Sequence, residues 1–109
     1  MFKAILAAAA LVALSAPAEA KKTVVIAGST DCGTWVESRT SATSAVPEFY
    51  VLGLLNGLAF GKQREFWHAN GDKVSNASVY LWLDKYCRDH PLSNITTGAI
   101  ALFRERVGD

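Results

Sequence analysis

The sequence predicts a small all-α domain of four helices closed by one disulfide. Beyond residue 30, apolar residues recur every three or four positions in four segments, which is the spacing of a helix face. Residues that favour helix N-termini precede these segments. The chain contains two cysteines, Cys32 and Cys87, far apart in sequence. Only KKTVVIAGS, residues 21–29, has strand-like composition, and we expect it to form an extended arm.

Capping residues and helical spacing predict the first two helices. In DCGTWVESR, Asp31 is placed as an N-cap, and Cys32, Trp35 and Val36 follow on one helix face. Pro47 suits the first turn of a second helix that should end near residue 60. This second segment, PEFYVLGLLNGLAFG, is apolar nearly all round, as is typical of the central helix in a small bundle.

Three glycines form a smooth stripe on the second helix. Gly53, Gly57 and Gly61 lie four residues apart, and each interior glycine costs about 0.5–1 kcal/mol relative to alanine. Something should therefore pack closely against the stripe. We favour an aromatic side chain of the same fold, Trp35 or Trp82, over a partner helix or ligand groove. Gly53, Gly57 and Trp82 are accordingly predicted to be helix-packing residues.

The third helix is predicted to begin near Ser75 or Asn76. It should end by Asp89, because the residue before Pro91 is disfavoured in helical conformation. Its inward face comprises Val79, Trp82, Leu83, Tyr86 and Cys87, and its solvent side comprises Asp84, Lys85 and Arg88.

The fourth helix is predicted to follow a short connection, with Ser93 as its N-cap. A connection this short makes the third and fourth helices close neighbours. The inward residues are Ile95, Ala99, Leu102 and Phe103, and the outward residues are Arg104, Glu105 and Arg106.

The connection between the second and third helices, GKQREFWHANGDKV, carries Phe66, Trp67 and His68 together. Large aromatic residues in a loop either close the core or serve as exposed anchors for a partner, and the sequence leaves both open. We take all three as candidate binding residues. No Ser, Cys or paired carboxylate accompanies His68 in a recognised arrangement, which favours a surface histidine, able to sense pH, over a catalytic base.

The first twenty residues have the pattern of a secretory signal. A basic start, MFK, precedes a short apolar run and the small-residue stretch APAEA, with Ala18 and Ala20 at the cleavage-site positions. We expect residues 1–20 to be a cleaved signal peptide and residues 21–109 to form one domain in the periplasm or outside the cell. An uncleaved membrane anchor is the alternative, but the apolar run is short for a bilayer span. We expect no stable membrane insertion after cleavage.

Charge balance excludes partners that need a concentrated basic field. The chain has 11 Lys and Arg against 10 Asp and Glu, for a net charge of +1. Proteins that bind nucleic acids or anionic membrane surfaces usually carry a marked basic excess. We therefore expect neither kind of partner.

In an exporting compartment, two distant cysteines favour one disulfide between Cys32 and Cys87. Closing a loop of roughly 55 residues stabilises a fold by about 4 kcal/mol in the chain-entropy model. Zinc is an alternative, since Cys87 and His90 have Cys-x-x-His spacing, but only Cys32 and His68 remain as further ligands. A catalytic thiol would require an unpaired cysteine. We predict no metal site and no cofactor.

The chain resembles small secreted bacterial proteins of the HdeA-like superfamily. The resemblance covers about residues 31–106: a Cys-x-x-Trp helix, an apolar glycine-containing helix, and LWLDKYCRDHPLSNITTGAIALFRE. The matching WxDxYCxxxPL positions, most similar to those of uncharacterised members, are Trp82, Asp84, Tyr86, Cys87, Pro91 and Leu92. The grouping contains the acid-stress periplasmic chaperones HdeA and HdeB and the Tai-type immunity proteins, which neutralise peptidoglycan-cleaving effectors. The resemblance implies a small four-helix HdeA-like bundle and no catalytic residues.

Two functions follow as hypotheses. The first is a non-enzymatic periplasmic interaction protein, monomer or homodimer, that binds an envelope or toxin protein in its folded state. The second is an acid-stress chaperone of the HdeA/HdeB type, in which protonated carboxylates leave net positive repulsion that loosens the bundle and exposes apolar surface. A fixed apolar patch around Phe66 and Trp67 would favour the first.

Overall fold

The computed structural model describes residues 23–108, and this range contains four α-helices and no strand. A single 3-10 turn, Ala69–Gly71, lies in the connection between the second and third helices. The all-α, four-helix prediction is confirmed. The expected signal peptide lies outside the described residues. The helices are α1 (Cys32–Thr40), α2 (Ala45–Lys62), α3 (Asn76–Asp89) and α4 (Ile95–Val107).

Two of the predicted N-caps are confirmed. The Asp31 carboxylate accepts hydrogen bonds from the backbone N–H of Thr34 at 2.9 Å and from its hydroxyl at 2.8 Å. Both hydrogen bonds favour the ionised carboxylate and lower the pKa of Asp31, the backbone bond more than the hydroxyl bond. At α3, the Ser75 hydroxyl accepts from the backbone N–H of Ser78 at 3.1 Å. Both caps satisfy donors that the first helical turn leaves without intrahelical partners.

The cap of α4 is displaced by one residue from the predicted position. Asn94, not Ser93, accepts from the backbone N–H of Thr97 at 2.9 Å. The Ser93 hydroxyl instead lies 3.1 Å from the Tyr86 hydroxyl. Ser93 thus helps join the connection to α3, and the first turn of α4 uses the next residue.

The predicted disulfide is present. Cys32 and Cys87 are bonded, with their Cα atoms 4.8 Å apart, and both side chains are buried. The zinc and catalytic-thiol alternatives are therefore wrong, because each sulfur is already committed to the other. The bond joins the first residue of α1 to the last turn of α3.

Backbone hydrogen bonds reinforce the same corner of the fold. The Cys32 N–H donates to the carbonyl of Ser93 at 2.9 Å, and the Ile95 N–H donates to the carbonyl of Thr30 at 3.0 Å. The chain leading into α1 is thereby paired with the chain leading into α4. The strand-like composition of residues 21–29 produces no strand in the described part, only irregular chain that leads to this pairing.

The core forms where the helices meet. α3 packs against both α1 and α4, and α2 packs against α4. The inward faces predicted for α3 and α4 are confirmed, except that Trp82 and Tyr86 are only half-buried. The largest fully buried side chains are Trp35, Phe66, Phe103, Leu55, Leu83, Ile95 and Val51.

A polar network lies at the contact between α1 and α3. The indole N–H of the buried Trp35 donates to Asp84 at 2.9 Å, and Arg39 makes two hydrogen bonds of 3.0 Å to the same carboxylate. The hydrogen bond to Asp84 raises the pKa of Arg39. The prediction that Asp84 faces solvent is wrong, because its side chain is only 14% exposed and accepts from both partners.

Close packing requires a glycine in α4, not in α2. A Cβ added at Gly98 would lie 2.8 Å from the Tyr86 ring and 2.9 Å from a Leu83 methyl group. At Gly53 and Gly57, no heavy atom lies within 4 Å of the corresponding position once the local helix backbone is set aside. The prediction that Gly53 and Gly57 pack inside the fold is wrong.

The tryptophans proposed to fill the glycine stripe are occupied elsewhere. Trp35 is engaged with Asp84, as described above. Trp82 is half-buried, stacks on Tyr86 with ring centroids 5.6 Å apart, and donates to Glu105 of α4 at 3.1 Å. Trp82 therefore contributes to contact between α3 and α4, but not through the α2 glycines.

Two alanine substitutions test this assignment of the glycines. Gly98→Ala should lower the free energy of unfolding by about 1–3 kcal/mol, because the methyl group overpacks a filled contact. Gly57→Ala should raise it by about 0.5–1 kcal/mol, because the helix interior gains propensity without a clash. Urea denaturation at a protein concentration low enough to exclude association measures both, and the same sign of change for the two variants would contradict the assignment.

Removal of the Asp84 carboxylate should destabilise the protein. Asp84→Ala leaves the buried Trp35 indole without its acceptor, so we expect a loss of about 1–3 kcal/mol. Asp84→Asn keeps an acceptor and should lose less. Asp89→Ala is the control, since the Asp89 carboxylate forms an exposed ion pair with Lys85, and it should change stability less than Asp84→Ala does. Equal midpoints for Asp84→Ala and the control would show that the network contributes nothing.

The Asp31 cap should make stability fall at acidic pH. Because its pKa is lower in the folded state than in the unfolded chain, its contribution is present above the unfolded value of about 3.9 and is lost as pH falls through the folded value. Asp31→Asn retains a capping oxygen that does not titrate, so its loss of stability between about pH 6 and pH 3 should be smaller than that of the wild type. Glu37→Gln is the control for the loss of one carboxylate of α1. Identical pH profiles for Asp31→Asn and the wild type would contradict the prediction.

Candidate interaction surface

The outward side of α2 exposes large apolar side chains. Val46, Phe49 and Phe60 are 80%, 72% and 88% exposed. Together with Gly53 and Gly57 they recur at spacings of three or four residues, which places all five on one side of the helix. We call these five residues the α2 face.

The opposite side of α2 packs into the fold. Val51 and Leu55 are fully buried there, and α2 contacts α4. The expectation that this helix is central, and hence buried all round, is wrong. Within residues 23–108, no other element covers its outward side, so a helix that is apolar all round is buried on one side only.

The middle of the α2 face is flat. Gly53 and Gly57 leave the helix backbone uncovered, with open space where side chains would stand. The rings of Phe49 and Phe60 lie on either side of this section, eleven residues or about 16 Å apart along the helix. The face therefore combines projecting rings with a smooth floor, a shape on which another backbone or ring can lie closely.

The α2 face carries no formal charge. The helix has no charged residue between Glu48 and Lys62. Glu48 accepts a hydrogen bond from the hydroxyl of Ser44, the residue before α2, at 3.0 Å, and it pairs with Arg39 of α1 at 3.4 Å. A contact on this surface would bury apolar and backbone groups without desolvating an ion.

The loop aromatics take three different positions. Phe66 is fully buried, stacks on Phe103 with centroids 5.9 Å apart, and lies under the Arg106 guanidinium at 5.2 Å. The prediction that Phe66 binds a partner is wrong, because its ring closes the core. Arg106, expected to face solvent, instead donates to the Phe66 carbonyl at 2.9 Å.

Trp67 and His68 stay predicted binding residues, although they do not form an apolar patch with Phe66. Trp67 is half-buried, and its indole N–H donates to Asn56, at the edge of the α2 face, at 2.7 Å. His68 is exposed, and its backbone N–H donates to Glu65 at 2.9 Å. The loop therefore contacts one side of α2 through Trp67, and the exposed apolar surface is formed by the α2 face and not by the loop.

Other surface features offer less. A cleft of about 420 Å³ beside the 3-10 turn includes Trp82, Glu105 and Arg106 in its lining, but the Arg106 guanidinium is already bound to backbone carbonyls of Phe66 and Asp72. In residues 23–108, no group of three or more His, Cys, Asp or Glu side chains is arranged to hold a metal ion. No helix of the described range is long and apolar enough to cross a membrane.

The three large residues of the α2 face were not among the residues predicted to bind a partner. The signal was available, because Val46, Phe49 and Phe60 have the same helical register as the glycine stripe. Because the whole helix is apolar, its residues were expected to lie in the core. Only the packing of α2 against α4 shows that this register points outward.

No protein-family model, curated protein or solved structure matches this chain. The resemblance to the HdeA-like superfamily therefore stays a prediction.

Proposed function

We propose that this protein is a non-enzymatic interaction protein that binds a protein partner in its folded state through the α2 face. The observation that carries the proposal is the exposure of Val46, Phe49 and Phe60 on one side of a single helix. The exported, oxidising location expected from the sequence is part of the proposal, and the buried disulfide supports it.

The area of exposed apolar surface on α2 is typical of an interaction site. An aromatic side chain presents roughly 200 Å², so the Phe49 and Phe60 rings alone leave about 300 Å² of apolar surface in water. The largest apolar patch on a typical monomeric protein covers about 300–600 Å² and is often an interaction site. Aromatic side chains, phenylalanine among them, are enriched in the buried core of protein interfaces.

The chemistry of the face indicates what it would accept. Because the face is uncharged and flat in the middle, a partner would present an apolar, uncharged segment, such as one side of a helix. Its side chains would contact the floor at Gly53 and Gly57, while its flanks contact the Phe49 and Phe60 rings. A charged segment would lose hydration without gaining a counter-ion.

Binding in the folded state is favoured over capture of clients after acid unfolding. The α2 face is exposed in the folded protein, so no loss of tertiary structure is needed to present it. The disulfide and the Asp84 network hold α1 and α3 together, which supports a rigid scaffold behind α2. The acid-chaperone alternative requires unfolding and client protection to occur over the same pH interval.

A photo-crosslinking amino acid in place of Phe49 tests the proposal in the cells that produce the protein. We expect discrete covalent adducts, which disappear when Phe60 is changed to Ser in the same chain. Leu81 on α3, 63% exposed, is the matched control and should give none of these adducts. Equal adduct patterns from the two positions, or none from either, would contradict binding at the α2 face.

An acid titration separates the alternative. Near-ultraviolet circular dichroism follows tertiary structure, and light scattering of an acid-aggregating enzyme follows client protection. For a protein that binds its partner in the folded state, we expect no protection at about pH 7, only a small effect at about pH 4, and a retained tertiary signal at both. Loss of tertiary signal together with onset of protection, between about pH 3 and pH 2, would instead support the chaperone function.

A further inference from the structure

The five residues of the α2 face are placed symmetrically about Gly53. Phe49 and Gly57 each lie four residues from it, and Val46 and Phe60 each lie seven residues from it. If two copies of α2 lie antiparallel with a two-fold axis at Gly53, Phe49 stands opposite Gly57 of the second copy. Val46 then stands opposite Phe60 of the second copy, and the two Gly53 residues meet on the axis.

We propose that the occupant of the α2 face is the same face of a second copy, paired antiparallel about Gly53. This inference rests on the proposed function, because it identifies the partner for that surface. A two-fold interface uses one patch twice and must be self-complementary, and the order of large and small residues on α2 meets that condition.

The antiparallel direction follows from side-chain size. At Gly57 the space above the backbone is open, so the Phe49 ring of the second copy can lie directly on the helix. A parallel pair would set Phe49 against Phe49 and glycine against glycine, which overpacks the ends and leaves voids in the middle. Antiparallel helices also bring the positive end of one helix dipole beside the negative end of the other.

Electrostatics place no obstacle to pairing. In a two-fold interface, any charge near the axis would meet its own copy, and α2 has no charged residue from 49 to 61. The whole chain has a net charge of only +1, so two copies repel each other weakly. A surface selected for an acidic or basic partner would instead carry the opposite charge.

The available area sets the expected strength. The four phenylalanine rings of the two copies supply roughly 600 Å² of buried surface. A specific interface needs about 1,000 Å², which Val46 and the exposed helix backbone must complete. We therefore expect a dimer that dissociates on dilution, with a face that a heterologous partner can also reach.

A single introduced cysteine tests the geometry. The chain's two native cysteines are bonded to each other, so Gly53→Cys adds the only thiol available for oxidation. Two such thiols would meet on the axis, and mild oxidation should give a covalent dimer. Gly61→Cys is the matched control: it is equally open, but its copies would stand about 24 Å apart along the helix. We expect at least a tenfold faster crosslink from Gly53→Cys, and equal rates would overturn the proposal.

Sedimentation equilibrium of the unlinked protein tests the packing. Phe49→Ser should raise the dissociation constant of the dimer at least tenfold. Gly57→Leu should do the same, because it fills the space that Phe49 of the second copy occupies. Non-specific apolar association would instead grow stronger with Gly57→Leu, and that result would overturn the proposal. Near-ultraviolet circular dichroism checks that both variants fold.

The results also separate this inference from the proposed function. A purified protein that stays monomeric, combined with Phe49 photo-adducts whose mass is not twice that of the chain, would disprove self-pairing and leave the interaction function intact. A monomer with no adducts at all would contradict both. Adducts of twice the chain mass, with the specific Gly53→Cys crosslink, would support both.

Discussion

The bond between Cys32 and Cys87 is the constraint on which the rest of the structure depends. It joins the start of α1 to the end of α3 and encloses α2 and the aromatic loop in a closed segment. α1 has nine residues, too few to be a stable helix by itself, so it needs this attachment and the Trp35 contact. Closing about 55 residues contributes about 4 kcal/mol in the chain-entropy model, a large share for a domain this small.

α2 is covered on one side only. α4 covers Val51 and Leu55, and no described element covers the Val46, Phe49 and Phe60 side. Glycines at 53 and 57 lower helix stability by about 0.5–1 kcal/mol each, and no contact within the described residues requires them. At Gly98 the opposite holds, since Tyr86 and Leu83 occupy the space a side chain would need. The proposed pairing of the α2 face would account for these glycines.

Polar groups within the fold are satisfied by long-range partners. The Asp84 carboxylate accepts hydrogen bonds from Trp35 and Arg39 of α1. Arg106 of α4 donates a hydrogen bond to the backbone carbonyl of Phe66 in the loop. In residues 23–108, no buried side-chain nitrogen or oxygen lacks a hydrogen-bond partner. These contacts keep α2 and its flanking loop in place and are consistent with a surface that is presented by the folded state.

The sequence by itself determined the local structure of this protein. Residue spacing and the Asp31 and Ser75 caps predicted the four helices, and the count of two cysteines predicted the disulfide, because these depend on neighbouring residues and on simple pairing. Only the tertiary structure decided which apolar residues of α2 and of the loop after it are covered. Phe66 in a polar loop is buried and Phe60 in an apolar helix is exposed, because burial depends on which helix packs against which face, and hydrophobicity is the same in either place.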